Sequence, residues 1–319
     1  MRRIHLLFVL LAVASAQLLL VAQGQPGGEQ RTALQVPAQF GTIQQAVDAA
    51  GPGDVIYVAP GTYCEQVVIT KSNLQVRQRN AEQGVRPILS GDCATGGYGF
   101  RVAGTATAPV ANVEISGFVV DGFETGILLE NVVRSRVSSN EVRNNMARVG
   151  SVTPFRSNGV VLRTASFNEI SENFSHDNGH MGIGVSGGAG NIVRANRLLN
   201  NQRQSPLTCG LMVYAGATGN QVIDNLVEND VRAVPTAGHG IMLGPNGALQ
   251  NLVARNRVVG HPSAGVDVRP ASQSNLILQN DASGNGLSGL VPDLLDSNTP
   301  STNLWIGNIG TCTPGNAGC

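Results

Sequence analysis

The sequence predicts an all-β fold: a single-stranded, right-handed parallel β-helix, a solenoid with a basal coil of about 23 residues and a short capping helix at its N-terminal end. Three observations predict it. A unit of the form Asn-x-apolar-x-x-Asn recurs through the second half of the chain, and a phrase of Gly followed by alternating apolar residues keeps step with it. The composition points the same way, since charged residues make up 13% and aromatics 4% while the 319 residues hold 40 Gly and 28 Asn. A hydrophobic share of 42% still supplies a core. With 21 basic against 21 acidic side chains, the chain lacks the electrostatic footprint of a nucleic-acid binder.

In chain order, residues 1–24 read as an export signal: Arg2 and Arg3, an apolar run Ile4–Ala14, and the small-x-small site Ala14-Ser15-Ala16. Cleavage is expected after Gly24 or, alternatively, after Ala16. Either cut predicts a secreted or periplasmic protein with no stable membrane insertion, whereas an uncleaved Ile4–Ala22 approaches the length of a membrane anchor. Next, Thr42–Ala50 sets Ile43, Ala46, Val47 and Ala50 on one helical face, and Gly51-Pro52-Gly53 ends that helix. A helix here would cover the open edge of the first coil. Short strands follow at Asp54–Val58 and Glu65–Thr70.

The Asn unit then occurs at Asn168–Asn173, Asn191–Asn196, Asn220–Asn225, Asn251–Asn256, Asn275–Asn280 and Asn303–Asn308, with weaker copies at Arg134–Asn140 and Asn112–Gly117. The final positions of these units are 23, 33, 23, 29, 31, 24 and 28 residues apart, so a basal coil carries insertions. The Gly phrase stands at Gly126–Leu129, Gly159–Leu162, Gly182–Val185, Gly210–Val213, Gly240–Leu243 and Gly265–Val268. Its period of two makes each copy a short strand with one face inward. A coil of three such strands cannot bury its apolar face alone and does so by stacking. Parallel stacking sets like residues above like at roughly 4.8 Å, which lets the recurring Asn form a hydrogen-bonded ladder. Right-handedness follows from the general preference of parallel crossovers. The solenoid is expected over 25–310, with a tail, 311–319, covering the last coil.

Five cysteines, Cys64, Cys93, Cys209, Cys312 and Cys319, match no CxxC-type metal spacing. Export permits their oxidation. Their spacing allows Cys64 to staple to Cys93 across neighbouring turns and Cys312 to pair with Cys319, leaving Cys209 a semi-buried free thiol.

The stretch Phe40-Gly41-Thr42-Ile43-Gln44-Gln45-Ala46-Val47-Asp48-Ala49-Ala50-Gly51-Pro52-Gly53-Asp54-Val55-Ile56-Tyr57-Val58-Ala59-Pro60-Gly61-Thr62-Tyr63 resembles the opening of the pectin-lyase-like right-handed parallel β-helix superfamily. The later coils resemble its parallel-β-helix repeats, also called carbohydrate-binding and sugar-hydrolysis repeats, so the likeness spans about residues 38–308. Lyases, glycosidases, epimerases, phage tailspikes and non-catalytic periplasmic proteins share that fold, and the resemblance implies fold more sharply than activity. It also implies that the ligand groove lies on the outer face of the first strand of each coil, beside the most variable turn. Here that strand is the Gly phrase. Insertions at Met146–Ser157, Gln202–Thr208 and Val231–Gly238 fall on the turn before it and bring Arg148, Arg156, Arg203 and Arg232.

Taking Ile183 and Val185 as inward sets Gly184 and Ser186 outward, and the same parity is expected to expose Glu130, Arg163, Tyr214, Met242, Asp267 and Arg269. His180 and His239 stand at strand entries of the same face. Carboxylates and Arg suit hydroxyls or uronate groups and Tyr offers a flat apolar face, so the expected ligand is a polysaccharide or cell-surface glycan. Arg163, Tyr214, His239 and Arg269 are the candidate catalytic residues, for a lyase or C5-epimerase needs a base near the sugar and a positive group for the enolate-like intermediate. Glu130, His180 and Asp267 are the candidate substrate-binding residues. Gly238-His239-Gly240 resembles the Gly-His-Gly motif of polygalacturonases, yet their paired aspartates are replaced by Leu207-Thr208, which argues against hydrolysis. The Asp-Pro-His element of alginate epimerases is absent too. No metal ligand set is read from the sequence; Ca²⁺ is left open as a cofactor because stacked coils could assemble ligands from separate turns. Three functional readings follow: a secreted β-helix that binds or processes a polysaccharide; a non-enzymatic surface or periplasmic β-helix; and a periplasmic metal-handling protein resembling NosD-type repeat proteins, for which the Cys, His and Met supply is thin.

Overall fold

Each coil turns where one residue takes the left-handed backbone conformation and the next is an Asn. Ser139, Glu172, Ala195, Asp224, Arg255 and Gln279 have φ between 52° and 59°, and each precedes one of Asn140, Asn173, Asn196, Asn225, Asn256 and Asn280. An L-residue there costs roughly 1 kcal/mol, and the amide that follows offsets the cost. Asn196 donates from its main-chain N and from Nδ2 to Asn225 Oδ1, both at 3.0 Å, and Asn225 repeats the pattern onto Asn256. These side chains are buried.

The computed structural model describes residues 32–79, 84–94, 97–148, 157–204, 209–229, 238–287, 289 and 291–313. The expected signal segment, most of the three insertions and residues 314–319 of the tail lie outside them. Among the described residues the strands form three long parallel sheets of eleven, eight and nine strands, one strand from each per coil. The core between them is a column of Val, Ile and Leu, with Val137, Val193, Val222 and Ile277 contributed by the eleven-stranded sheet.

The sequence anticipated one Asn ladder, and the structure holds two along the eleven-stranded sheet. Asn168, Asn191, Asn220, Asn251, Asn275 and Asn303 bond in series at the start of the strand, and the series from Asn140 to Asn308 runs at its end. A shorter third series, Asn145 to Asn178 to Asn201, lies five residues on, at the far corner of the eight-stranded sheet. Buried His261 occupies the same position further down, where its main-chain N donates to Asn285 Oδ1 at 2.9 Å.

At the N-terminal end, helix α1 (Ile43–Ala49) buries Ile43, Ala46 and Val47 and packs on the strands Ala33–Val36, Val55–Val58 and Val67–Ile69. Thr42 and Gln45 close a capping box, and Glu65 accepts from the main-chain N of Ile43 at 2.8 Å and of Gln44 at 2.9 Å. Lys71, the lone lysine of the sequence, donates to the carbonyls of Val47, Asp48 and Ala50 at the helix's other end. It caps that end of the helix. Cys64 and Cys93 form the expected disulfide between adjacent coils, and Cys209 is buried and free. Cys312 is disulfide-bonded, while its expected partner Cys319 lies outside the described residues. The tail's start is pinned beside the strand Leu294–Asp296, with Thr311 N donating to Asp293 Oδ2 at 2.8 Å.

The ladders predict a specific sensitivity. Asn225→Ala strands the buried main-chain N of Asn196 and removes the Nδ2 donor shared by three acceptors, Val193 O, Ile223 O and Asn256 Oδ1. The expected loss is about 3 kcal/mol, read as a lowered urea midpoint with the protection of neighbouring amides from hydrogen exchange falling first in the adjoining coils.

Candidate functional site

The nine-stranded sheet carries the Gly phrases, and its outward face is set by a kink at each Gly. A Cβ on Gly240 would stand 2.0 Å from Val258 Cγ1 and 2.6 Å from the Gly265 carbonyl, so this position packs inward. Ile241 after it is also in the core, and two successive inward residues turn the one before them, His239, outward. Cys209 behaves likewise, since it joins an outside cluster although Leu211 and Val213, of the same parity, are core. Three outward rows result. Thr125, Asn158, Cys209 and His239 line the strand entries; Arg101, Leu128, Val161, Gly184, Met212, Met242 and Asp267 form the middle; and Glu130, Arg163, Ser186 and Tyr214, continued by Arg269, form the exit.

The exit row opens with a clamped carboxylate. Glu130 accepts from Arg101 Nη2 at 2.9 Å and from Arg163 Nη1 at 2.8 Å, and the Arg101 guanidinium lies 5.8 Å over the Tyr98 ring. Both Arg side chains stay about two-fifths exposed, at 41% and 42%. Tyr98 and Arg101 are absent from the candidates read from the sequence, although Gly99-Phe100-Arg101-Val102 is a further copy of the Gly phrase, of the same form as Gly265-Val266-Asp267-Val268.

At the other end of the face, Asp267 Oδ2 lies 2.6 Å from Arg269 Nε and 3.1 Å from His239 Nδ1, and Arg269 Nη2 donates to His239 Nε2 at 2.9 Å. That bond fixes the proton of the neutral imidazole on Nδ1, toward Asp267. Beyond these ion pairs, His239 Nδ1 and the Asp267 oxygens are buried and make no further hydrogen bond. Burial pushes Asp267 up to about 6 against the pull of Arg269. Burial, followed by the charges of Arg269 and His261, pushes His239 down to about 3. Arg269 is the one substantially exposed, at 40% against 9% for His239 and 0% for Asp267.

The expected exposure therefore needs correction. Met242 and Asp267 point away from the core as the parity requires, yet both are buried, and so are Leu128 and Val161 on the same row. His180 stands outside the strand Ile183–Ser186 and turns Nδ1 to Asn158 Oδ1 at 3.1 Å, with burial lowering its pKa. Tyr214 is half-buried beside Ser186, and burial raises its hydroxyl. Arg163 and Arg269 sit four coil steps apart, roughly 19 Å, so the four candidate catalytic residues do not meet around one sugar ring. Glu130 and Asp267 are five steps apart, roughly 24 Å, beyond the spacing of a hydrolytic carboxylate pair. Among the described residues no group of three or more His, Cys, Asp or Glu comes together to hold a metal ion. A separate shallow groove of about 550 Å³ lies on the outer face of the eleven-stranded sheet, lined by Tyr57, Arg77, Glu114, Ser116, Arg136 and Ser138. Its Arg77 and Glu114 neutralise each other.

Comparison with known proteins gives the same architecture. A family model described as "Right handed beta helix region" matches residues 98–282. A cell surface glycoprotein of Methanothermus fervidus is 29% identical over 146 residues, 45% of this chain and 21% of the relative, so the chain spans about a fifth of that relative's length. Among solved structures, Geobacillus virus E2 ORF18 superposes with a TM-score of 0.56 at 17% identity, over 86% of this chain and 60% of that one. An alginate lyase from Paenibacillus sp. str. FPU-7 superposes with a TM-score of 0.51 at 18% identity, over 85% of this chain and 95% of that one. At such identities the structures show a shared fold.

The Asp267 environment predicts a pH signature. A carboxyl raised from 3.8 to about 6 in the folded state binds its proton more tightly folded than unfolded, so it removes stability as pH rises through that window. Asp267→Asn abolishes this slope. Between about pH 4 and pH 7 the variant should gain about 2–3 kcal/mol relative to the parent, measured by denaturant midpoints. His239 contributes the opposite slope, losing stability as pH falls from 6.5 toward about 3, but does so in both proteins.

Proposed function

The chain belongs to the family of right-handed β-helix regions, and from that premise we propose that it is an extracellular glycan-binding protein whose ligand is an acidic polysaccharide laid along the outward face of the nine-stranded sheet. The observation that carries the reading is the exit row, in which half-exposed Arg163 and Arg269 are held in one line by the strand register, with Tyr214 between them. Guanidinium groups recognise carboxylates through paired, charge-assisted hydrogen bonds, and their spacing of roughly 19 Å asks for a polymer with charges on separate rings. Tyr214 offers a flat surface on which an intervening ring can rest. In the chain, the three insertions fall between a strand of the eight-stranded sheet and the following strand of this one.

The Cys64–Cys93 disulfide supports an oxidising, extracellular setting, in keeping with the likeness to a cell surface glycoprotein. Among the described residues no helix is long and apolar enough to cross a membrane.

Where the bound polymer is turned over, the residues favour proton transfer next to a uronate carboxylate, as in β-elimination or epimerisation, over hydrolysis. Arg269 would neutralise the carboxylate as charge builds on it. His239 and Asp267 act behind Arg269 as positioning residues: the buried carboxylate holds the Nε of Arg269, and the imidazole holds its Nη2.

Titration of the protein with polygalacturonate, alginate and neutral dextran tests the reading. Binding is expected for the acidic polymers, to weaken with added salt, and to fall by roughly tenfold or more in Arg163→Ala with Arg269→Ala. Equal binding of dextran, or acidic binding untouched by the double substitution, would overturn it. Ultraviolet absorbance of unsaturated uronate ends, followed in the same samples, reports elimination, and NMR of the recovered polymer reports epimerisation.

A further inference from the structure

Four sulfur-bearing residues gather on the outside of the solenoid. Met181, Cys209, Met212 and Met242 are buried against one another, with half-buried Tyr214 packed on them, and none of the four belongs to the aliphatic core. The whole chain has five Met, so three of them meet in this one patch. They come from three successive coils. In the middle outward row the sequence runs Leu128, Val161, Gly184, Met212, Met242, so branched aliphatic side chains give way to thioethers in the two coils nearest Cys209. Filling space on this face required no sulfur, as Leu128 and Val161 show.

The row also makes room for the third thioether. A Cβ on Gly184 would lie 2.9 Å from the Met181 methyl and 3.3 Å from its sulfur, so the glycine leaves the space into which Met181 folds its Sδ back over the sheet. Gly184 pairs in register with Met212, and Met212 with Met242. Cys209, the free cysteine, completes the group, with burial holding its thiol well above the usual range and the nearby Asp267 charge acting in the same direction.

We propose that Met181, Cys209, Met212 and Met242 form a binding site for one soft monovalent metal ion, Cu(I). Neutral thioethers bind Cu(I) and discriminate against Ca²⁺, Mg²⁺ and other hard ions. On binding, the Cys209 S–H bond gives way to an S–Cu bond and the proton leaves to solvent, with no change of oxidation state. This site is independent of the glycan reading, since an inert face toward polysaccharides would leave the sulfur cluster as it is.

The test is anaerobic transfer of Cu(I) from its bicinchoninate complex to the intact purified protein. One Cu(I) per chain is expected, with release of one proton and a copper X-ray absorption spectrum dominated by sulfur neighbours. Substituting Met181, Met212 and Met242 together by Leu, which conserves volume, should weaken uptake roughly hundredfold, and Cys209→Ser should abolish the proton release. Circular dichroism and melting report whether these variants fold. Should the triple variant misfold, Gly184→Ala, which moves only the Met181 thioether, is expected to weaken uptake roughly threefold or more. No transfer to the parent protein, transfer unchanged by the thioether substitutions, or transfer unchanged by Gly184→Ala would overturn the site.

Discussion

The left-handed residue followed by a buried Asn is the constraint on which the rest of the molecule depends. Glu172, Ala195, Asp224, Arg255 and Gln279 share almost nothing chemically, yet all hold the same strained corner. What they share is the next residue. Its carboxamide takes the main-chain N of the coil before it and hands its own Nδ2 hydrogens to a neighbouring carbonyl and to the next amide, as Asn196, Asn225 and Asn256 do in turn. A corner whose peptide groups would otherwise be buried without partners is thereby satisfied at every level. Because each amide needs one above and one below, the coils are locked in register, and the three-residue strand between two ladders can vary its outward side chains freely.

Register, in turn, is what gives the outer faces their chemistry. A residue's row is decided by its offset from the nearest Asn or Gly, and its height by which coil it occupies. Arg101, Glu130 and Arg163 form a clamp although 29 and 33 residues separate its pairs, since each stands one coil above the last. The same rule keeps Arg163 and Arg269 apart. Insertions leave this arrangement intact because they enter between strands, at the corner from the eight-stranded to the nine-stranded sheet, where added length changes no pairing.

How much of this could be read from the sequence follows from which signals are periodic. The coil, the helix from Ile43, the Cys64–Cys93 pair and the outward parity of Glu130, Arg163 and Arg269 all recur or follow from residues that recur. Both Asn of the repeated unit were legible, but the third series was obscured, since a period of 23 with insertions leaves Asn145, Asn178 and Asn201 looking like ordinary turn residues. Burial was the less legible quantity. Parity says which way Asp267 and Met242 point, but whether water reaches them depends on what lies across the face, and that is a matter of three dimensions. The kink at Gly was likewise invisible: strict alternation would have put Cys209 in the core with Leu211, and only the inward packing of Gly210 against Val227 sends it outward.

This last displacement joins the scaffold to its chemistry. A strand that alternated faithfully would offer two outward rows; the extra inward glycine creates a third, at the strand entry, and it is there that Cys209 and His239 stand side by side in adjacent coils. From that row His239 reaches Arg269 and lies beside Asp267, while Cys209 reaches the thioethers of the middle row. One glycine per coil thus places two kinds of reactive group within a coil spacing of each other, one built of nitrogen and oxygen, the other of sulfur. A Cβ at Gly240 would collide with Val258 and undo the kink, which makes the recurrence of Gly in these phrases a requirement of the outer surface as much as of the core.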